Sequence, residues 1–344
     1  MRESGEEKTN MHASPAISEG EQAVRTEPAI RVGPAGWSYA DWAGIVYPRS
    51  RPHGFHEAEF LARFFDTIEI NTSFYQPPRP EAARNWAARV AHNPRFKYTA
   101  KLWRRFTHDR EAGQEDERAM KRGLEPLAEM GRLGALLMQF PWSFKWTREN
   151  REYLGGLVMQ FVEYPLVLEV RHSSWDRPEA FELLGDLGVG FCNIDQPLIG
   201  RSLGPTERSG GLVGYVRLHG RNYDQWFGAS EPHERYNYLY RTEELEPWVE
   251  RARRIAGSAR VTFVIANNHF EGKGVANGLE ITHLLTGQPV PVPETLRARY
   301  PELAAIAVPP GGSDLVPDKA RGSPEQGDLR FDERAGGGSI RSGS

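Results

Sequence analysis

Eight short apolar runs, spaced by stretches of helical periodicity, constrain this chain more than any other feature. They lie at residues 30–33, 67–71, 96–101, 135–140, 166–171, 190–195, 214–219 and 261–268. Amphipathic segments fall between or after them, at 57–65, 80–90, 117–130, 148–161, 178–187, 243–256 and 277–285. The segment at 80–90 opens on Pro80, a residue suited to a first helical turn. Short strands alternating with helices are the pattern of parallel βα units. A closed barrel needs eight strands, whereas an open doubly wound sheet has no such requirement. The expectation is therefore an α/β chain forming one (β/α)8 TIM barrel over residues 29–308.

The flanks read differently. Residues 1–28 are rich in Glu, Ser, Thr and Gly and hold no apolar core of a signal peptide. Residues 309–344 turn to Gly, Ser, Asp, Arg and Pro. Both are expected to be disordered tails. The single cysteine, Cys192, leaves no internal disulfide and no cysteine pair for zinc, which fits a reducing cytoplasm. No segment reads as a membrane span. The net charge of -3 argues against a dedicated nucleic-acid coat protein, while a local basic groove stays compatible with it.

The polar residues are the informative ones. All the runs but the first carry charged or amide side chains at or near the C-terminal end. Strand side chains alternate with a period of two. Glu69 and Asn71 therefore share a face, as do Glu169 and Arg171, and Arg217 and His219. With Ile70, Val170 and Leu218 turned to the helices, the polar pairs face the barrel axis. Lys101, Gln139, Asp195 and Asn267 close other strands at the same mouth, where barrel active sites lie. The competing account is a plug in which Glu69, Glu169 and Asp195 merely cancel Lys101, Arg171 and Arg217. Burying so many ions is costly and adds little stability, and a plug has no need to gather them at one end.

Aromatic residues crowd the segments after the strands. Trp37, Tyr39, Trp42 and Tyr47 follow the first run, Phe74 and Tyr75 the second, Trp103 and Phe106 the third. Trp142, Phe144 and Trp146 follow the fourth and Trp175 the fifth. Many would pack on helix tops, yet as a set they offer stacking surfaces to a sugar or a base. Residues 220–241, with Tyr223, Trp226, Phe227, Tyr236, Tyr238 and Tyr240, are too long and too aromatic for a plain connection and are expected to form a lid.

These residues also carry a family resemblance. Gly33-Pro34-Ala35-Gly36-Trp37-Ser38-Tyr39, with Asp41-Trp42 and Tyr47-Pro48, resembles the opening of the YecE-like family (domain of unknown function 72). So do 65–71 with Ser73-Phe74-Tyr75, Lys101 with Thr107-His108, and Gln139-Phe140-Pro141. Glu169-Val170-Arg171-His172 with Ser174-Trp175, Asp195, 217–222 and Asn267-Asn268-His269 complete the series, in order over about residues 31–285. The resemblance implies a (β/α)8 barrel. It implies no reaction.

Four chemistries fit the residues. The first is metal-free acid–base catalysis, hydrolase or lyase in class, on an anionic substrate with a sugar or base ring. Glu69, Glu169, Asp195 and His219 would move protons. Tyr39, Asn71, Tyr75, Lys101, Gln139, Arg171, Trp175, Arg217, Asn267 and Asn268 would bind, the arginines forking phosphate or carboxylate. The second is a divalent-metal phosphodiesterase or hydrolase acting on nucleic acid, with Glu69, Glu169, Asp195, His219 and His269 as ligands. Against it, cations sit beside the acids and compete for the space a metal would take, and no His-x-His occurs. A two-carboxylate glycosidase using Glu69 and Glu169 is the third, disfavoured because the fourth strand ends in Gln139 and the seventh in Arg217 and His219. The fourth is binding of a ligand or nucleic acid without turnover. The expected partner is thus a small anionic ligand or nucleotide, nucleic acid being the wider alternative. The expected cofactor is none or a divalent metal. His108 is expected to be a surface or lid residue.

Overall fold

A computed structural model of the protein describes residues 29–223 and 232–308. The two expected tails, and Trp226 and Phe227 of the expected lid, lie outside the described residues. The strands are β1 (Ala29–Pro34), β2 (Thr67–Ile70), β3 (Lys97–Lys101), β4 (Leu133–Gln139), β5 (Leu166–Glu169), β6 (Gly190–Asp195), β7 (Val213–Leu218) and β8 (Val261–Ala266). All neighbours pair in parallel, in the order β1-β8-β7-β6-β5-β4-β3-β2. The circle closes where Ala35 bridges Glu69 and the Gly36 amide donates to the Glu69 carbonyl at 2.8 Å. Gly33 makes that closure possible, because a Cβ there would lie 1.8 Å from the Thr67 carbonyl oxygen. The chain is a (β/α)8 barrel, as the eight runs predict.

Helices α1 (Glu57–Leu61), α2 (Pro80–Arg89), α3 (Gln114–Glu129), α4 (Arg148–Gln160), α5 (Pro178–Asp186), α6 (Thr242–Ala256), α7 (Lys273–Thr286) and α8 (Glu294–Arg299) surround the strands. Two boundaries differ from expectation for visible reasons. Helix α3 starts earlier because the Asp116 carboxylate accepts from the Gly113 amide at 2.9 Å and caps the first turn. Helix α7 starts earlier because Gly272, with φ of 76°, turns the chain into it. No helix joins β6 to β7. Instead the Asn193 side chain straps the connection down, donating to the Arg208 carbonyl at 2.7 Å and accepting from Thr206 and the Arg208 amide, both at 2.8 Å.

The strands stop short of several polar residues that the runs include. Asn71, Arg171, His219, Asn267 and Asn268 lie just past strand ends, in the loops at the mouth. Inside the barrel the side chains form tiers. At the bottom Phe263 lies 5.9 Å from Tyr215 and occupies the space a Cβ on Gly134 would need. Above it Tyr215 shares a 2.8 Å hydrogen bond with Thr99. The charged tier comes next. Among the described residues no helix is long and apolar enough to cross a membrane.

Candidate functional site at the barrel mouth

Arg217 on β7 is the centre of the charged tier. Its Nη2 donates to Glu69 Oε1 on β2 at 2.8 Å and to Asn267 Oδ1 at 3.0 Å, and its Nη1 to Glu169 Oε2 on β5 at 2.5 Å. Tyr215, two residues earlier on the same face, donates to Glu69 Oε2 at 2.9 Å. Glu169 also accepts from Arg171 Nη2 at 3.0 Å. Arg217, Glu69 and Glu169 are wholly buried. Burial alone would raise the Glu169 carboxyl. The guanidinium groups of Arg217 and Arg171, with His219, outweigh that and hold it well below the ordinary carboxylate range. A carboxylate so held stays ionised and does not serve as a general acid.

The role of His219 is fixed by its neighbour. Asn267 spends its Oδ1 on Arg217, so its Nδ2 faces His219 Nδ1 at 2.9 Å and donates to it. The imidazole proton then sits on Nε2, 3.5 Å from Glu169 Oε1. Burial, with Arg171 and Arg217, pushes His219 down to about 3. It is a fully buried imidazole, held neutral, with its Nε2 turned to Glu169.

Two members of the tier reach solvent. Lys101, at the end of β3, is 12% exposed and Arg171 16%, whereas the carboxylates beneath are at 0%. Lys101 Nζ lies 3.5 Å from Glu69 Oε1 and 5.8 Å from the centre of the Phe74 ring. Burial and Arg217 bring it down to about 8, against the pull of Glu69 and Glu169. Arg171 also reaches Gln196 Oε1 at 3.3 Å. Two carboxylates thus meet three cations, and the mouth carries one excess positive charge while Lys101 is protonated.

The wall beside Lys101 is aromatic. Phe74 meets His108 edge to face at 5.0 Å and Tyr75 at 5.3 Å, and Tyr75 is 68% exposed. His108 sits on a one-turn π-helix, Arg105–Asp109, closed by Arg110 in the left-handed region with φ of 56°. Such turns and such a non-glycine residue cost free energy and are found at functional sites. The Thr107 hydroxyl holds His108 Nδ1 at 3.0 Å, and burial with Arg104 and Arg171 lowers the imidazole to about 4. His108 therefore belongs to the mouth.

The structure brings Glu69, Glu169, Lys101, Arg171, Arg217, His219 and Asn267 together. Asn71 stands next to them, bonded to the Tyr39 hydroxyl at 3.0 Å. Asn71 Oδ1 and, at the end of β4, Gln139 Oε1 are buried without a hydrogen-bond partner among the described residues. Such atoms are costly unless a bound molecule satisfies them.

Three expected site residues are placed elsewhere. Asp195 shares its parity on β6 with Phe191, which packs on Phe181 of α5, so it faces the helices. Its carboxylate accepts from Arg221 Nε at 2.8 Å and sits beside the Tyr240 hydroxyl. Trp175 is wholly buried, stacked on Phe144 with its indole N–H on the Phe144 carbonyl at 2.7 Å, so it offers no face to a ligand. Asn268 is buried too, donating to the Tyr238 carbonyl and to Asn277 Oδ1, both at 2.8 Å, and fastens α7 to the chain at Tyr238.

A metal fits poorly. Among the described residues no group of three or more His, Cys, Asp or Glu side chains could hold one. Glu69 and Glu169 are committed to guanidinium groups, His219 Nδ1 to Asn267 and Asp195 to Arg221. His269 is stacked on Tyr39 at 4.3 Å and meets Tyr236 at 5.0 Å. Of the residues that the sequence reading passed over, Tyr215 was within its reach by the period of two. Gln196 and the inward placement of His108 carry no sequence signal.

Three kinds of comparison bear on the chain. A family model described as protein of unknown function DUF72 matches residues 31–299. The UPF0759 protein YunF of Bacillus subtilis (strain 168) is 29% identical over 275 residues, covering 74% of this chain and 94% of that one. A DUF72 family protein of Thermotoga maritima MSB8, known as a crystal structure, is 33% identical with a TM-score of 0.66, covering 75% of this chain and 99% of that one. A second, from Enterococcus faecalis V583, is 23% identical with a TM-score of 0.66, over 74% and 95% of the chains, and bears on the fold alone.

Proposed function

The chain belongs to the DUF72 family of proteins of unknown function, and on that premise we infer that its barrel mouth is the active site of a metal-free acid–base enzyme acting on a small anionic compound with a sugar or base ring. One observation carries the reading. Of the charged tier, the cations Lys101 and Arg171 reach the mouth, while Glu69 and Glu169 are sealed beneath them. A plug that only balances charge has no reason to sort its members in this way.

Arg171 holds the phosphate or carboxylate by its guanidinium fork. Phe74, Tyr75 and His108, set edge to face, supply an aromatic wall for the ring. Asn71 and Gln139 offer buried carbonyl oxygens to its hydroxyl or amino groups. Lys101 moves the proton, since an amine near 8 exchanges a proton readily at neutral pH. Glu69 and Glu169 act through others. They fix Arg217 and Arg171 and set the field in which Lys101 works.

Calorimetric titration compares ribose 5-phosphate with ribose, in the native protein and in Arg171→Met. The phosphate ester is expected to bind at least ten-fold tighter than the sugar, with that preference lost in the variant. Equal binding of both compounds, or a preference that survives Arg171→Met, would remove the anion from the account.

A further inference from the structure

The geometry points to Lys101 as an amine nucleophile that condenses with the open-chain carbonyl of a sugar phosphate or sugar acid held by Arg171. This names the substrate class of the site proposed above and rests on that reading's anion site, with Lys101 attacking carbon in place of carrying the proton.

The first ground is the sharing of Glu69. Its Oε1 accepts from Arg217 at 2.8 Å and its Oε2 from Tyr215 at 2.9 Å, while Lys101 Nζ stands off at 3.5 Å. The carboxylate is satisfied without the lysine. A lysine whose task was to neutralise Glu69 would take the short contact. Here Lys101 can give up a proton, or exchange it for carbon, without leaving a buried carboxylate unpaired.

The second ground is its surroundings. The amine lies over an aromatic face at 5.8 Å, is mostly buried, yet opens on the mouth. Two guanidinium groups stand on the same tier, and their charge disfavours the ammonium form. Burial and neighbouring cations are the two means by which proteins make a lysine nucleophilic. The backbone beneath is rigid. The Lys101 amide donates to the Ser73 hydroxyl at 3.0 Å, and that hydroxyl donates to the Ile70 carbonyl at 2.8 Å. This holds the ends of β2 and β3 in fixed relation.

The step balances without a further reagent. The ammonium loses one proton to solvent and the free Nζ attacks the carbonyl carbon. The carbonyl oxygen, taking up protons, leaves as water. The net change is ammonium plus carbonyl giving a protonated imine plus water, with no oxidant or reductant. The imine draws electrons from the adjacent carbon and weakens its C–H or C–C bond, a lyase-type or isomerase-type activation.

The test uses the whole chain with ribose 5-phosphate and sodium cyanoborohydride at pH 7, followed by peptide mapping. The expected result is one reduced adduct, at Lys101, formed at least ten-fold faster than at any other lysine. It disappears in Lys101→Arg, and it slows ten-fold or more in Arg171→Met with ribose 5-phosphate but not with ribose. Glucose 6-phosphate serves as a second probe. Adducts spread evenly over the lysines, or no adduct at Lys101 with either probe, would overturn the inference. The calorimetric binding of ribose 5-phosphate is read on the same preparation. If it persists while trapping fails, the covalent step alone is wrong, and if both fail the site reading falls with it. The native adduct map stands by itself should Lys101→Arg not fold.

Discussion

At the scale of single residues, the site is a set of ions that hold one another in place. Arg217 reaches two carboxylates at once, and the Asn267 amide passes its orientation on to His219. This arrangement makes a pH prediction. His219 sits near 3 when folded and near its ordinary 6.5 when unfolded, so between those values the unfolded chain binds a proton that the native chain does not. Its contribution is complete above about 6.5 and is lost as pH falls toward 3. His108, near 4, acts in the same direction, and the lowered Glu169 adds its loss below 4.5. Urea unfolding is therefore expected to show stability falling by on the order of 1 kcal/mol per pH unit below pH 6.5. His219→Gln should lessen that slope and leave the part that His108 contributes. A profile level from pH 7 to pH 4.5 would contradict the buried neutral imidazole. Much of this set was legible in the sequence, because the period of two puts Glu69, Glu169, Arg217 and His219 on one face. Asp195 was misassigned for a physical reason. Strands of a barrel are buried on both faces, so β6 offers no polar-against-apolar contrast to say which parity meets the axis.

At the scale of elements, the barrel depends on how β1 meets β2. The two touch through the Ala35–Glu69 bridge beyond the end of the ladder, and Gly33 lies against the Thr67 carbonyl. A methyl group at 1.8 Å from a backbone oxygen cannot be accommodated by a side-chain rotation. Gly33→Ala is expected to destabilise the fold by about 3 kcal/mol or more, read from the urea midpoint. Because Glu69 is set by the same contact, ligand binding should weaken too. A variant with native stability would mean that the closure is looser than these distances. Element types were readable from periodicity. The ends of the strands were not, since Asn71, Arg171 and His219 continue the sequence pattern after the ladder has stopped. The π-turn at Arg105–Asp109 was invisible as well. It is held by tertiary contacts, Arg110 on Asn150 at 2.9 Å and over Phe144 at 4.9 Å, that no local pattern announces.

At the scale of the whole molecule, a chain of net charge -3 presents a locally cationic mouth. Net charge alone hides such a feature, because the field at a cleft is set by the few groups that reach it. The aromatic content, read in the sequence as one stacking ring, divides in the structure. Trp42 and Trp175 fill the core, while Phe74 and Tyr75 border the mouth. The central claim is that this mouth is an anion site built on Arg171 and Lys101. The most direct measurement is the thermal unfolding midpoint against inorganic phosphate concentration, at ionic strength held constant with chloride, for the native protein and for Arg171→Met. Binding to the native state alone raises the midpoint with the logarithm of ligand concentration. The account predicts such a rise in the native protein and at most a small remnant of it in Arg171→Met. Equal rises in the two proteins, or a midpoint that phosphate leaves where chloride leaves it, would contradict it.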